Sequence, residues 1–418
     1  MILRKKYLYR IKQSLEVMNW VFLVGTRQVG KTTLMKMFAE QYLPPNSQSF
    51  YINFDEIALG GKIAFASLKE FEEFLKLHYQ IDIAKIDWFL MDEIKNVKNF
   101  NLLLKALIDK YPQKKFLATS SGNYTRVKEI VEGLAGRVVE IEVYPLDWEE
   151  FLTFKNHDIP QTITPLIWQQ LEPLLREYMS FGGFPAVVLA PLSSKKLVMK
   201  SILDSVITKD IRNFLKEWEV IQLQKLFEYL AQNTGSKFSY EGIANWLWLK
   251  KNVVKKFLSL LEASYLISFL PPFFTDKKKE LSSKQKVYVN DFGVVNYFLQ
   301  TFNLKSFING KDVEMFVFLQ LLFNKGIEHQ IYFYQNINNF EIDFILKKNS
   351  KLIPIEVKAG DQRPLPKIFL SFCKKYKEMV AYFVQTTKTQ QEQREFAQDC
   401  LLQKIPYIKV ADVLRDEI

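Results

Sequence analysis

The chain has 418 residues, 48% of them hydrophobic and 15% aromatic, and 57 Lys and Arg against 46 Asp and Glu leave a net charge of +11. That composition argues against a disordered chain, the length predicts about two to four domains of ordinary size, and the positive balance favours a polyanionic partner such as nucleic acid. Two cysteines, Cys373 and Cys400, without a C-x-x-C or Cys-His spacing, exclude a zinc site or disulfide framework and point to a reducing cytoplasm. Residues 1–20 mix basic and apolar residues at helical spacing and read as neither signal peptide nor membrane span. No later stretch reaches the roughly 18 consecutive apolar residues a membrane helix needs. His78, His157 and His329 are isolated, which favours core or surface roles over metal ligation.

The first strong motif is Val21-Phe-Leu-Val-Gly25-Thr26-Arg27-Gln28-Val29-Gly30-Lys31-Thr32-Thr33, an apolar strand, a glycine loop and a helix start. It fits G-x-x-x-x-G-K-[ST], in which glycines let backbone N-H groups wrap a triphosphate and the helix adds the positive end of its dipole. Lys31 would reach the β and γ phosphates, and the Thr32 hydroxyl would serve Mg²⁺. A second apolar run, Trp88-Phe-Leu-Met-Asp92-Glu93, reads as a buried parallel strand ending in two carboxylates, a Walker B pattern. Asp92 would hold Mg²⁺ through its water shell, and Glu93 would orient and deprotonate the attacking water. Between and after these motifs, strands over 49–53 and 115–118 and helices over 66–79 and 99–111 argue a parallel sheet covered by helices. Thr119 and Ser121, in a polar run beyond the last of these strands, either sense the γ phosphate or cap the next helix. The absence of an N-K-x-D tetrapeptide after the Walker B strand favours ATP over GTP.

These segments, with Tyr51-Ile-Asn-Phe-Asp55, Leu134-Ala-Gly-Arg137 and Tyr144-Pro-Leu146, resemble the AAA-type ATPases that carry a DUF4143 carboxyl-terminal region. The resemblance implies that Arg137 is an arginine finger acting on a neighbouring subunit, and hence a ring or dimer; by itself the residue reads as an Arg at a helix C-terminus. After residue 150 the pattern turns helical, and Phe181-Gly-Gly-Phe-Pro185 marks a sharp turn between helices. The resemblance makes this region a helical lid.

Helices over 221–232, 240–247 and 250–263, a strand at 265–270, a lysine-rich segment from Asp276 to Lys286 and a strand at 287–290 fit the order of a winged helix-turn-helix. Lys250, Lys251, Lys255 and Lys256 on its third helix, with Lys277, Lys278 and Lys279 in the wing, are either DNA phosphate contacts or a solvated face of a packing module. In the last third, Glu341-Ile-Asp343-Phe-Ile-Leu346 and Leu352-Ile-Pro-Ile-Glu356-Val-Lys358 read as a hairpin, with Glu356 and Lys358 on one face. Asp343 and Glu356, joined by Glu314 from a helix over 312–323, would hold Mg²⁺ while Lys358 stabilises charge on a scissile phosphate. The same spacing also suits a plain strand ion pair.

This constellation resembles the PD-(D/E)XK nuclease core, and the family resemblance reaches it through Tyr288-Val-Asn-Asp-Phe-Gly293 and Ile353-Pro-Ile-Glu-Val-Lys358. Three positions depart from the family pattern. Ser120 stands where glycine is usual, Met315 where asparagine is common, and Val253 where the recognition helix often begins with threonine. The expected organisation is a P-loop AAA-type core at 1–150, a helical lid at 151–216, a winged helix-turn-helix at 217–300 and a restriction-endonuclease-like α/β domain at 301–418. The expected function is Mg²⁺-dependent ATP hydrolysis acting on DNA in a cytoplasmic homo-oligomer, with a possible cleavage site in the tail. The alternative is a nucleotide-driven switch whose tail docks a protein.

Overall fold

A computed structural model describes residues 2–58, 63–122, 137–274, 283–336, 338, 340–358, 367–376, 380–385, 394–397 and 400–414. The chain divides into two compact units. One comprises Met1–Tyr144, Ser201–Leu215 and Ala263–Tyr265; the other comprises Pro145–Lys200, Lys216–Glu262 and Leu266–Ile418.

The first unit is built on a five-stranded sheet in the spatial order Ser49–Asn53, Trp88–Asp92, Lys115–Ser121, Trp20–Gly25, Val139–Glu142, with every pairing parallel. Trp20–Gly25 is buried at all its positions, as a strand covered on both faces must be, and its run of Trp, Val, Phe and Leu supplies both. Trp20 stacks on Phe116 and Phe116 on Phe89, so aromatic rings tie three neighbouring strands together. Helix Lys5–Val17 buries Tyr7, Leu8, Ile11 and Leu15, one face at helical spacing. Helices Lys31–Tyr42, Leu68–Tyr79 and Phe100–Lys110 complete the regular cover, the second started by a Ser67 cap. Parallel register sets Gly25 beside Ser121 and Met91 beside Ala118, so the strands' carboxyl ends form one edge. The strand expected to stop at residue 118 runs on to Ser121, carrying Thr119 and Ser121 inside it.

The second unit contains helices Trp148–Phe154, Pro165–Phe181 and Pro185–Leu189. The expected turn at 181–185 is present. Gly182 has φ +79°, and side chains at Gly182 and Gly183 would overlap Asp291 and the Leu146 carbonyl. Asp291 accepts the Gly183 N-H at 2.7 Å, so the Phe181–Pro185 and Tyr288–Gly293 segments lock together. Further on, helices Glu217–Gln232, Tyr240–Leu247 and Lys251–Ala263 precede a three-stranded antiparallel sheet ordered Ser236–Lys237, Lys286–Val289, Ile267–Leu270. Helix Gly310–Asn324 is apolar nearly all round and buried along most of its length. Beyond it lies a mixed six-stranded sheet ordered His329–Gln335, Glu341–Lys348, Lys351–Lys358, Val380–Gln385, Cys400–Pro406, Arg394–Ala397. Among the described residues no helix is long and apolar enough to cross a membrane. Lys277, Lys278 and Lys279 lie outside the described residues, as does 134–136 of the segment leading to Arg137.

Candidate nucleotide site and carboxylate cluster

The P-loop follows its strand directly. Gly25, at φ +148°, leaves no room for a side chain against the Val143 carbonyl, and Gly30, at φ +96°, starts the helix from the left-handed region. Gln28 is exposed and adopts φ +63°, Thr33 is exposed, and Val29 is fully buried. Lys31 is buried, and its Nζ donates to the carbonyls of Gly25 at 2.9 Å and Thr26 at 2.8 Å. Burial pulls the Lys31 ammonium down to about 8 against the pull of Glu93. The Thr26 hydroxyl donates to the Ser264 carbonyl at 2.5 Å. Arg4, itself buried, donates to the carbonyls of Val29 and Tyr144 and braces the loop from the amino-terminal segment.

Asp92 sits at the end of its strand, where the hydroxyl of Thr32 donates to its two oxygens at 3.0 and 2.9 Å and Tyr51 donates at 3.1 Å. The Thr119 hydroxyl also donates to Asp92, and it accepts the Glu93 N-H at 3.1 Å. Glu93 has φ +53°, outside the strand, and its Oε2 accepts from the Ser121 hydroxyl at 2.8 Å and the Ser121 N-H at 3.2 Å. Burial pushes the Glu93 carboxyl up, but Lys95, Lys31 and Arg27 together outweigh it and hold the group below its ordinary value. Thr119 and Ser121 therefore bond to the two strand-end acids; the helix they were also expected to cap would lie in 123–136, outside the described residues. The hydroxyl and carboxylate oxygens of Thr32 and Asp92 are the hard donors that Mg²⁺ takes, and their adjacency fits that ion.

Three residues outside the expected set complete the site. Lys95 donates to the Ser121 carbonyl at 2.6 Å, to its hydroxyl at 2.8 Å and to Asp210 at 2.6 Å. Arg27 grips the same Asp210 carboxylate through Nε at 2.9 and 3.0 Å. Lys95 was visible as a cation two residues past Glu93; Asp210 and Arg4 lie far away in sequence and had no local signal. Arg137 is half-exposed and forms an ion pair with the exposed Asp109 at 2.7 Å.

In the second unit Asp343 and Glu356 meet across adjacent antiparallel strands. Asp343 accepts the Val357 N-H at 2.8 Å, and its own N-H points to Glu356 at 3.4 Å. Lys358 pairs with Glu356 at 2.5 Å, which places both on one face as alternation predicts. Burial, and then the facing charges of Glu356 and Glu314, push Asp343 well above the usual carboxylate range; burial also pushes Glu356 up. Glu314 does not join them as a third metal ligand. Tyr288 donates to it at 2.7 Å and the buried Lys286 at 3.1 Å, while Lys286 also holds Glu341 at 2.6 Å. Among the described residues no group of three or more His, Cys, Asp or Glu side chains is placed to hold a metal ion. A cavity of about 70 Å³ beside Glu314 is lined by Thr234, Ser236, Tyr288 and Lys311.

The lysine helix is less free than its sequence suggests. Lys251 pairs with Glu241, Lys256 with Glu219 at 2.8 Å, and Lys255 lies over the Tyr240 ring at 5.4 Å. In the turn before it, Trp248 is 94% exposed at φ +56°.

Residues 18–152 match the AAA domain family, residues 172–305 a domain of unknown function, DUF8612, and residues 309–405 a domain of unknown function, DUF4143. An uncharacterized protein of Methanocaldococcus jannaschii is 29% identical over 338 residues, spanning 79% of this chain and 73% of that protein. One from Haemophilus influenzae is 26% identical over 365 residues, spanning 85% and 86%. Among solved structures, the Walker-type ATPase of Pyrococcus abyssi is 14% identical with a TM-score of 0.47, over 72% of this chain and 96% of that one. AMPPCP-bound DnaA of Aquifex aeolicus is 13% identical with a TM-score of 0.31, over 63% and 89%. The match over residues 18–152, with the P-loop and Walker B motifs inside it, marks an ATPase domain of the AAA type, followed by two regions that match domains of unknown function.

Proposed function

We propose that this protein hydrolyses ATP with Mg²⁺ and applies the energy to nucleic acid. The observation that carries the reading is the Thr32–Asp92 contact at 2.9 to 3.0 Å beside the buried Lys31. Bound Mg²⁺ would neutralise charge on the β and γ phosphates. Lys31 binds the same phosphates, Glu93 orients the attacking water and takes its proton, and Thr119 and Ser121 hold the two acids at their distance from the loop. Arg137, at the surface in an exposed ion pair with Asp109, would exchange that partner for a second copy's phosphate and complete a neighbour's site as an arginine finger.

Nucleic acid is the proposed target because the net charge is +11 and the second unit has the helix and strand order of a winged helix-turn-helix, with Lys250 exposed at the start of its lysine helix. Asp343, Glu356 and Lys358 form the candidate cleavage site of a PD-(D/E)XK-like tail, with two carboxylates rather than three available to Mg²⁺. A second reading, a nucleotide-driven switch that docks a protein, is favoured by the internal partners of Lys251 and Lys256 and by exposed Trp218, Trp246 and Trp248.

The test is the Mg²⁺-dependent ATPase rate with and without duplex, single-stranded and branched DNA, with the same DNA examined for nicks. Stimulation by one DNA form supports the first reading. A rate indifferent to every DNA, with no salt-sensitive binding, overturns it in favour of docking.

A further inference from the structure

We infer that Asp210 is a positioning residue for ATP hydrolysis, clamping Arg27 of the P-loop and Lys95 behind the Walker B acids so that Glu93 keeps its place. The inference rests on the ATPase reading above and adds to it a residue from the segment Ser201–Leu215, which belongs to the same compact unit although it lies more than a hundred residues along the chain.

The geometry forms one connected path. Asp210 is 5% exposed and both of its oxygens are engaged, by Arg27 at 2.9 and 3.0 Å and by Lys95 at 2.6 Å. Lys95 in turn holds the carbonyl and hydroxyl of Ser121, and Ser121 donates its N-H and hydroxyl to Glu93. Lys95 also stands 3.6 Å from Glu93 itself. Lys95 thus serves two carboxylates, and the shorter bond to Asp210 fixes where its ammonium stands beside Glu93. Loss of the Asp210 charge would let the ammonium close further on the carboxylate that must face water.

Two features of the backbone serve this contact. Asp210 lies in a π-helical turn, Ile207–Ile211, continuing helix Lys195–Val206, and single π turns are frequent at functional sites. Gly122, at φ +56° directly after Ser121, leaves no room for a side chain beside the Asp210 carboxylate. The strand end and the turn therefore approach as closely as a glycine permits.

Asp210→Asn keeps the size and removes the charge. The variant is expected to lose about 10- to 100-fold in kcat, the scale of a small misplacement of a reacting group, while KM and the affinity for a methylanthraniloyl-ATP probe stay within about threefold. Amide exchange over residues 119–122 should quicken. Lys95→Gln should act through the same path, so the losses of D210N and K95Q should not multiply in the double variant. Glu93→Gln, assayed in parallel, separates the two levels of the argument. If E93Q hydrolyses ATP normally, the ATPase reading of Glu93 falls. If E93Q is inactive while D210N keeps the wild-type kcat, the clamp alone is overturned. Losses that multiply, a D210N protein that no longer binds the probe, or one that fails to unfold cooperatively would assign Asp210 to the fold and overturn it too.

Discussion

The two carboxylate pairs of this protein, Asp92 with Glu93 at a strand end and Asp343 with Glu356 on paired strands, both belong to apolar strands, yet their surroundings are opposite. Around the first pair stand Lys31, Arg27 and Lys95, and Asp92 receives three hydroxyl donors. Around the second, Glu314 and Glu341 add negative charge, and Lys286, Lys237 and Lys358 offset part of it. The first is a cationic basin that holds Glu93 below its ordinary value and suits a polyphosphate. The second is an acidic knot in which burial, and then the neighbouring carboxylates, push Asp343 and Glu356 up, which suits a cation or a shared proton. Strand-borne acids are therefore not a function in themselves; the counter-charges brought by other segments decide what they can bind.

The comparison breaks most sharply at Lys31. Lys31→Ala should reduce ATP turnover to background, since its buried ammonium is the cation placed in the loop for the β and γ phosphates, and a steady-state assay would show it. If the basin reading holds, Glu93→Gln should lower kcat by about 10²- to 10⁴-fold with nucleotide binding retained, the range for loss of a general base. Asp343→Asn should leave the ATPase rate unchanged and remove any Mg²⁺-dependent nicking seen on a gel. Because Asp343 is raised in the folded state, its ionisation opposes folding: it binds its proton more tightly folded than unfolded, and stability declines as pH rises through that window. D343N should flatten that decline in thermal unfolding between about pH 4 and 8.

Smaller effects sharpen the contrast. Lys250→Ala should reduce the salt slope of DNA binding by about one, and Lys256→Ala should change it less because Lys256 is already paired with Glu219. Smallest is Asp291, buried behind the glycine turn, whose carboxyl is pushed by burial to about 7 although Gly183 and Val294 donate to it. It too binds its proton more tightly folded than unfolded, so it withdraws stability as pH rises from about 4 to 7 and none further above that. A shallow slope in the unfolding midpoint, confined to that window, is the expected trace.

Most of the first unit was legible because its signals are local. A fully apolar strand, a glycine loop and a lysine within eleven residues of one another constrain the backbone and carry the chemistry together, and the helices at 68–79 and 100–110 lie within two residues of their expected bounds. The hairpin of the second unit was legible for the same reason, as alternation alone places Glu356 beside Lys358. Two sequence expectations changed for reasons of packing. Thr119 and Ser121 lie within the strand because its neighbour Trp20–Gly25 extends the pairing to Gly25 and Ser121. Glu314 faces Lys286 and Tyr288 because a strand more than twenty residues upstream packs against its helix.

The sequence by itself determined the nucleotide loop, the strand-end acids and the order of the elements, because spacing along one strand or one helix fixes which side chains share a face. Tertiary structure alone decided the partners of those acids. Asp210 reaches Arg27 and Lys95 across separations of 183 and 115 residues, and Lys286 reaches Glu314 across 28. Charge pairing over such distances leaves no period in the sequence, since any buried carboxylate is satisfied by whichever cation the packing delivers.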